Sequence, residues 1–252
     1  MELRALRRDR AARSGPELFL HERAFADCLD RIALIGRGFE RGLMIGCPDP
    51  QWPERLGELV SHVTVRDPGP LFAAASGGDA IVEDYWEPSA GAHDLVLAIG
   101  TLDTVNDLPL ALQLLRHAMS PRALLIGAIS GGGTLPELRG AMRAADEAAG
   151  AAAPHVHPRV EPSALAGLLT EGGFTGAVVD VDRVPVSYAS LERLIADLRH
   201  MGATNVLKAR PRFVGKAARV AATRSFAAAG DGQRTVETFE ILHFAAWTPE
   251  NL

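Results

Sequence analysis

Three short apolar runs constrain this chain more than any other feature: Leu43-Met44-Ile45-Gly46-Cys47, Leu95-Val96-Leu97-Ala98-Ile99 and Leu124-Leu125-Ile126-Gly127-Ala128-Ile129. Each is apolar throughout rather than alternating, and each is closed by glycine, proline or a polar turn residue. Such runs are strands buried on both faces, the condition of a parallel sheet covered by helices. The segments between them carry helical periodicity. Residues 17–37 place Leu18, His21, Phe25, Cys28, Leu29, Ile32 and Ile35 on one face, ending near Gly36 and Gly38. Residues 52–60, 71–75 and 109–119 read as further helices, the last with Pro109 at a permitted first-turn position. Weaker strands fit 62–66 and 80–83. The alternation from about residue 40 to 130 demands right-handed crossovers and a doubly wound sheet.

After residue 130 the pattern changes. Ser130-Gly131-Gly132-Gly133 is a loop, and 134–149 a helix that Thr134 and Glu137 would open as a capping box. A helix at 162–171 and a half-buried strand at 177–184 follow. Helices at 190–201 and 214–229 come next, then a long strand at 234–247 after the Asp231-Gly232 turn. The expected whole is a single α/β domain over 1–252, a Rossmann-like three-layer sandwich. Its seven-stranded sheet is mostly parallel, with 177–184 and 234–247 as an antiparallel edge pair. Residues 1–40 supply N-terminal helices. Segments 134–160 and 186–230 form a helical cover, or lid, over the strand carboxyl ends. That cover carries Arg139, Arg159, Arg199, Arg210 and Arg212.

Composition removes several function classes. The chain has 252 residues, with 26 Lys plus Arg against 31 Asp plus Glu, a net charge of −5. Nucleic-acid binders carry a basic excess instead. No apolar stretch approaches the ~18 residues of a membrane span. The Arg-rich start has no apolar core for export, and Glu2, Asp9 and Glu17 argue against a transit peptide. Cys28 and Cys47 alone make no disulfide framework, which suits a reduced, cytoplasmic setting.

In a doubly wound sheet, ligands bind outside the strand carboxyl ends where the strand order reverses. The loop after the first strand is Gly46-Cys47-Pro48-Asp49-Pro50-Gln51-Trp52-Pro53. Asp67 follows Gly46 by 21 positions at the end of the second strand, the spacing of a carboxylate that holds a ribose. Glu83 and Asp84 follow the third strand, where an adenine would lie, and Gly100 and Thr101 follow the fourth. Asp67 beside Pro68 is equally a turn-former, and Glu83-Asp84 equally a solvated pair. His155 and His157 form an H-x-H on a presumed strand, too few donors for a metal, and no metal is expected. Cys47 reads as a buried strand residue, with reactivity as the alternative.

The order of these elements resembles class I S-adenosylmethionine-dependent methyltransferases. Within them the chain is most similar to a proteobacterial and mitochondrial subgroup containing the complex I assembly factor that hydroxylates an arginine, related to the biotin-synthesis methyltransferase. The subgroup's signatures stand here as Arg8-Asp9-Arg10-Ala11-Ala12, Val105-Asn106-Asp107-Leu108-Pro109 and Gly132-Gly133-Thr134-Leu135-Pro136-Glu137-Leu138-Arg139. They continue as Pro158-Arg159-Val160, Val179-Asp180-Val181-Asp182-Arg183, Leu194 to Asn205 and Thr238-Phe239-Glu240-Ile241. The resemblance implies an S-adenosylmethionine cofactor held by Gly46, Asp67, Asp84, Tyr85 and Gly100. It also implies a small-molecule or protein substrate met by Arg139, Arg159 and Tyr188, and leaves the catalytic residue unassigned.

The departures cluster on the cofactor side. Met44 stands in place of an acidic residue, and Gly46 is the survivor of a Gly-x-Gly turn. Pro48, Pro50 and Pro53 have no N–H to give. Asp103-Thr104 replace a His-Trp pair, and Gly133 replaces an aspartate. Three readings stay open: methyl transfer with a weakened cofactor site, a repurposed arginine hydroxylase-like activity, and a non-catalytic assembly or binding factor that has lost the cofactor.

Overall fold

The computed structural model describes residues 2–208 and 215–250; Arg210 and Arg212 lie outside them. Helices α1 (Glu2–Ser14) and α2 (Phe19–Ile35) precede strand β1 (Phe39–Ile45). Then follow α3 (Trp52–Gly57), β2 (Val60–Asp67), α4 (Pro70–Ala75), β3 (Asp79–Ala80), β4 (His93–Ile99) and α5 (Leu108–Ala118). The second half runs β5 (Met119–Ser130), α6 (Pro136–Ala149), α7 (Pro162–Glu171), β6 (Thr175–Tyr188), α8 (Leu191–His200), α9 (Lys216–Ala228) and β7 (Thr235–Trp247). The strands form one sheet in the order β3-β2-β1-β4-β5-β7-β6. Pairings through β5 are parallel, while β7 is antiparallel to both β5 and β6. The expected mostly parallel sheet with an antiparallel carboxyl-terminal edge is the observed one.

The non-alternating runs do bury both faces. Met44, Leu95, Leu97, Leu124 and Ile126 pack against Phe25, Cys28 and Ile32 of α2 and Trp52 of α3, whose ring stacks on Phe25 at 4.2 Å. Leu43, Ile45, Val96, Ala98 and Leu125 face Leu112 and Leu115 of α5 and Leu165 and Leu169 of α7. A third cluster joins α6, α8 and α9 through Leu138, Leu194 and Phe226 to Tyr188 and Phe239. β1 begins four residues before its apolar run because the Asp94 carboxylate accepts the Glu40 and Arg41 amides, each at 2.8 Å. At the outer edge, β6 pairs among the described residues with β7 alone. Its Asp180 and Asp182 pair with Arg31 and Arg23 of α2, and Pro185 interrupts its row of amides.

One local expectation is corrected. Thr134 and Glu137 do not cap α6, which starts two residues later at Pro136, after Leu135 in the left-handed region (φ +60°). Glu237 from β7 takes the role instead, its buried carboxylate accepting the Leu138 amide at 2.8 Å and that of Glu137 at 3.3 Å. The Thr134 hydroxyl accepts the Glu240 amide. The cap therefore comes from about a hundred residues away, where no local spacing could reveal it. Replacing Glu237 with Ala removes these acceptors from buried amides and is expected to lower stability by roughly 1–2 kcal/mol. A shift of the urea midpoint without a change in slope checks this.

Candidate functional site

The strand order reverses between β1 and β4, so the crevice for a ligand opens above Ile45 and Ile99. Gly46 and Gly100 form its two lips. Gly46 adopts φ +85°, and a Cβ there would stand 2.3 Å from the Ile99 carbonyl oxygen. Gly100 adopts φ +62°, with the His21 ring lying 2.8 Å from the place of its missing Cβ. Both positions require glycine for space as well as for backbone angle.

The carboxylates at the neighbouring strand ends are already engaged. Asp67 is fully buried and accepts four N–H groups. Arg8 of α1 donates twice, Nε at 2.7 Å and Nη2 at 2.5 Å. The Cys47 amide donates at 2.7 Å and the Gly69 amide at 2.6 Å. A carboxylate has about four lone-pair directions, so nothing remains for a ribose hydroxyl. Glu83, equally buried, receives Arg4 Nη1 and Nη2 at 2.5 Å each. Arg4 also donates to the Thr104 hydroxyl and the Thr101 carbonyl. Asp84 turns away and accepts the Asp107 amide, while Tyr85 is 85% exposed. Met44 lies in the core on the α2 side.

A cavity of about 90 Å³ survives beside this locked corner, at the carboxyl ends of β4 and β5 and against the first half of β7. Its walls are largely apolar, from Leu20, Ile99, Ile129, Leu135, Met201 and Phe239, with Arg159, Asp103, His21 and Glu240 among its polar groups. Arg159 pairs with Asp103, and Arg159 Nε and Asp103 Oδ1 are buried without hydrogen-bond partners. Arg139, whose Nε donates to the Thr134 carbonyl, has its pKa lowered by burial and by Arg159. Glu240 accepts the Gly133 amide and pairs with Arg183. A Cβ on Gly133 would lie 2.6 Å from Glu240 Oε2, so the carboxylate occupies the room an aspartate at 133 would need. Among the expected residues, Gly100 and Arg159 border the cavity, whereas Gly46, Asp67, Asp84 and Tyr85 do not. Tyr188 packs in the core near Phe239.

The remaining candidates have separate duties. His155 meets Asp146, and His157 meets Asn205, in a loop rather than on a strand. Cys47 is buried, and burial pushes its thiol up to about 12, which removes the reactive alternative. The residues that sequence reasoning missed are Arg4, Arg8 and His21. Arg8 heads a quoted signature, but its partner lies 59 residues away.

The fit of S-adenosylmethionine follows from these contacts. The acceptor that would take its ribose is saturated, Glu83 beside the adenine position is held by the Arg4 fork, and the cavity is far below the ~300–1,000 Å³ of ordinary small-molecule sites. The residues in this arrangement do not fit the cofactor. Removing one partner of a buried pair costs about 3–5 kcal/mol, so Arg8→Ala is expected to destabilise the chain by that order in denaturant melts. A second expectation concerns His21, whose pKa burial, with Arg8 adding to it, lowers from 6.5 to about 4. Protons then bind the unfolded chain first. This stability is present above pH 6.5 and is lost as pH falls toward 4. Urea melts at pH 7 and pH 5 should show a smaller acid loss in His21→Gln than in the native chain.

No protein-family model matches the chain. It is 29% identical over 247 residues to the mitochondrial arginine-hydroxylase NDUFAF5 of Danio rerio, covering 92% of this chain and 76% of that one. It is 32% identical over 161 residues to the malonyl-[acyl-carrier protein] O-methyltransferase of Xylella fastidiosa (strain M23), across 62% of this chain and 52% of that protein. The crystal structure of the Bacillus YcgJ protein aligns over 90% of this chain and all of that one, with a TM-score of 0.62 at 10% identity. A phosphoethanolamine N-methyltransferase of Haemonchus contortus, solved with S-adenosylhomocysteine, aligns over 89% of this chain and 52% of its own at TM-score 0.53 and 13% identity. Sheet order and structural neighbours agree that the chain has the Rossmann-like fold of S-adenosylmethionine-dependent methyltransferases, and its sequence is similar over nearly the whole length to that of the arginine-hydroxylase NDUFAF5 proteins.

Proposed function

We propose that this chain works as a binding or assembly factor on a methyltransferase fold, serving a partner protein rather than transferring a methyl group. The observation that carries this reading is the saturation of Asp67, whose four acceptor directions are all used by the chain's own N–H groups. Its relationship to arginine-hydroxylase NDUFAF5 proteins over most of both chains supports a protein as the partner. The free, buried thiols fit a reducing, cytoplasmic setting. Among the described residues no helix is long and apolar enough to cross a membrane.

A second reading, methyl transfer from a weakly held cofactor, is favoured by what persists. Gly46 keeps its positive φ against Ile99, and acidic residues still stand at the ends of β2 and β3 in the order a nucleoside needs. In that reading Gly46, Asp67, Gly100 and the Asp84-Tyr85 turn border the cofactor, with Arg139, Arg159 and Tyr188 on the substrate side. Pro48 and Pro50 still withhold two N–H groups from its charged end, and each lost charge-assisted bond costs about 1.5–3 kcal/mol.

Calorimetric titration of the full chain with S-adenosylhomocysteine separates the two. Binding no tighter than the high-micromolar range is expected. Low-micromolar affinity abolished by Asp67→Ala would overturn the binding-factor reading and restore methyl transfer.

A further inference from the structure

Helix α1 is attached in an unusual way. Of its described side chains only Arg8 and Ala11 are buried, and Leu6 is 59% exposed. It is held mainly by polar contacts: Arg4 on Glu83, Arg8 on Asp67, and Asp9 accepting the Leu71 amide at 3.0 Å. The connection to α2 is an exposed turn at Gly15 and Pro16. Gly15 adopts φ +83° with nothing within 4 Å of the place of a Cβ. An element with little apolar burial and an unpacked hinge belongs to the low-stability end of a fold, where local opening is easiest.

The groups that hold α1 are those a nucleoside would use. Asp67 and Glu83 stand at the ends of β2 and β3, beside the crevice between β1 and β4. A ribose offers two hydroxyl donors and an adenine one amino group. The two guanidinium forks offer more donors, all charged, at 2.5–2.7 Å. Charged forks of this geometry outcompete neutral donors for a carboxylate.

We infer that α1 is an intramolecular occupant of the nucleoside crevice, with Arg4 and Arg8 holding Glu83 and Asp67 in place of a ligand's donors, and that α1 must swing out about Gly15 before a nucleoside can enter. The inference rests on the closed-crevice reading above and adds its cause and its reversibility. The same contacts that close the crevice are then the ones that open it.

The test compares the full native chain with the Arg4→Lys/Arg8→Lys double variant, titrating each with S-adenosylhomocysteine. Lysine keeps both charges but not the two-pronged geometry, so the carboxylates stay paired while the latch weakens. Weak binding by the native chain and at least tenfold tighter binding by the double variant is the expected result. Tight binding by the native chain with still tighter binding by the variant keeps the latch and removes the closed-crevice reading. Equal affinity in the two proteins overturns the latch; if both bind weakly the crevice is closed by something else, and if both bind tightly the closed reading falls too. Hydrogen exchange on the native chain gives a readout independent of the variant's folding. At saturating S-adenosylhomocysteine the amides of 2–14 should exchange faster. Unchanged or slower exchange there, or no binding by either protein at millimolar ligand, overturns the inference.

Discussion

The ion pair between Arg8 and Asp67 is the contact around which the functional end of this molecule is arranged. Both side chains are buried, at 5% and 0% exposure, and a buried charge is tolerable only when its partners are complete. Completing Asp67 draws in the Cys47 and Gly69 amides, so the loops after β1 and β2 are shaped around the carboxylate. It fixes α1 across the crevice, brings Arg4 to Glu83, and places the Arg8 charge near His21, where it adds to the burial that lowers that imidazole's pKa. Four elements that share no local sequence relation are tied at one point.

The departures from the subgroup pattern form a consistent set when seen against this arrangement. Asp103, where the pattern has histidine, pairs with Arg159, and Thr104, where it has tryptophan, accepts from Arg4. Gly133, where it has aspartate, leaves the space that Glu240 fills. Asp103 and Thr104 thus meet arginines of the chain itself, and the room beside Gly133 is taken by a carboxylate from β7.

The fold was legible in the sequence because burial on both faces leaves an unmistakable pattern. The runs at 43–47, 94–99 and 124–129 became β1, β4 and β5, and the long run at 234–247 became β7. Edges were less legible where side-chain acceptors extend a strand, as Asp94 does for β1, or where a distant residue caps a helix, as Glu237 does for α6. At the site, the glycines and the position of Asp67 could be read from spacing. What Asp67 binds could not, because Arg8 lies on a helix whose apolar pattern is faint and whose contacts are long-range ion pairs. His21 shared the spacing of Phe25 and passed for a core residue, though one turn nearer the amino end of α2 it borders the cavity instead.

The outermost strand has a bearing on how molecules of this chain coexist. β6 is fourteen residues long, with Val178 and Val181 at its surface, the kind of edge onto which a second extended chain can add rung by rung. Asp180 and Asp182 put carboxylates along it, each paired with an α2 arginine, and Pro185 breaks its ladder of amides. An incoming strand would have to bury those charges and skip a rung. Charge and a missing amide along this edge are the features that disfavour zipper-like pairing between copies.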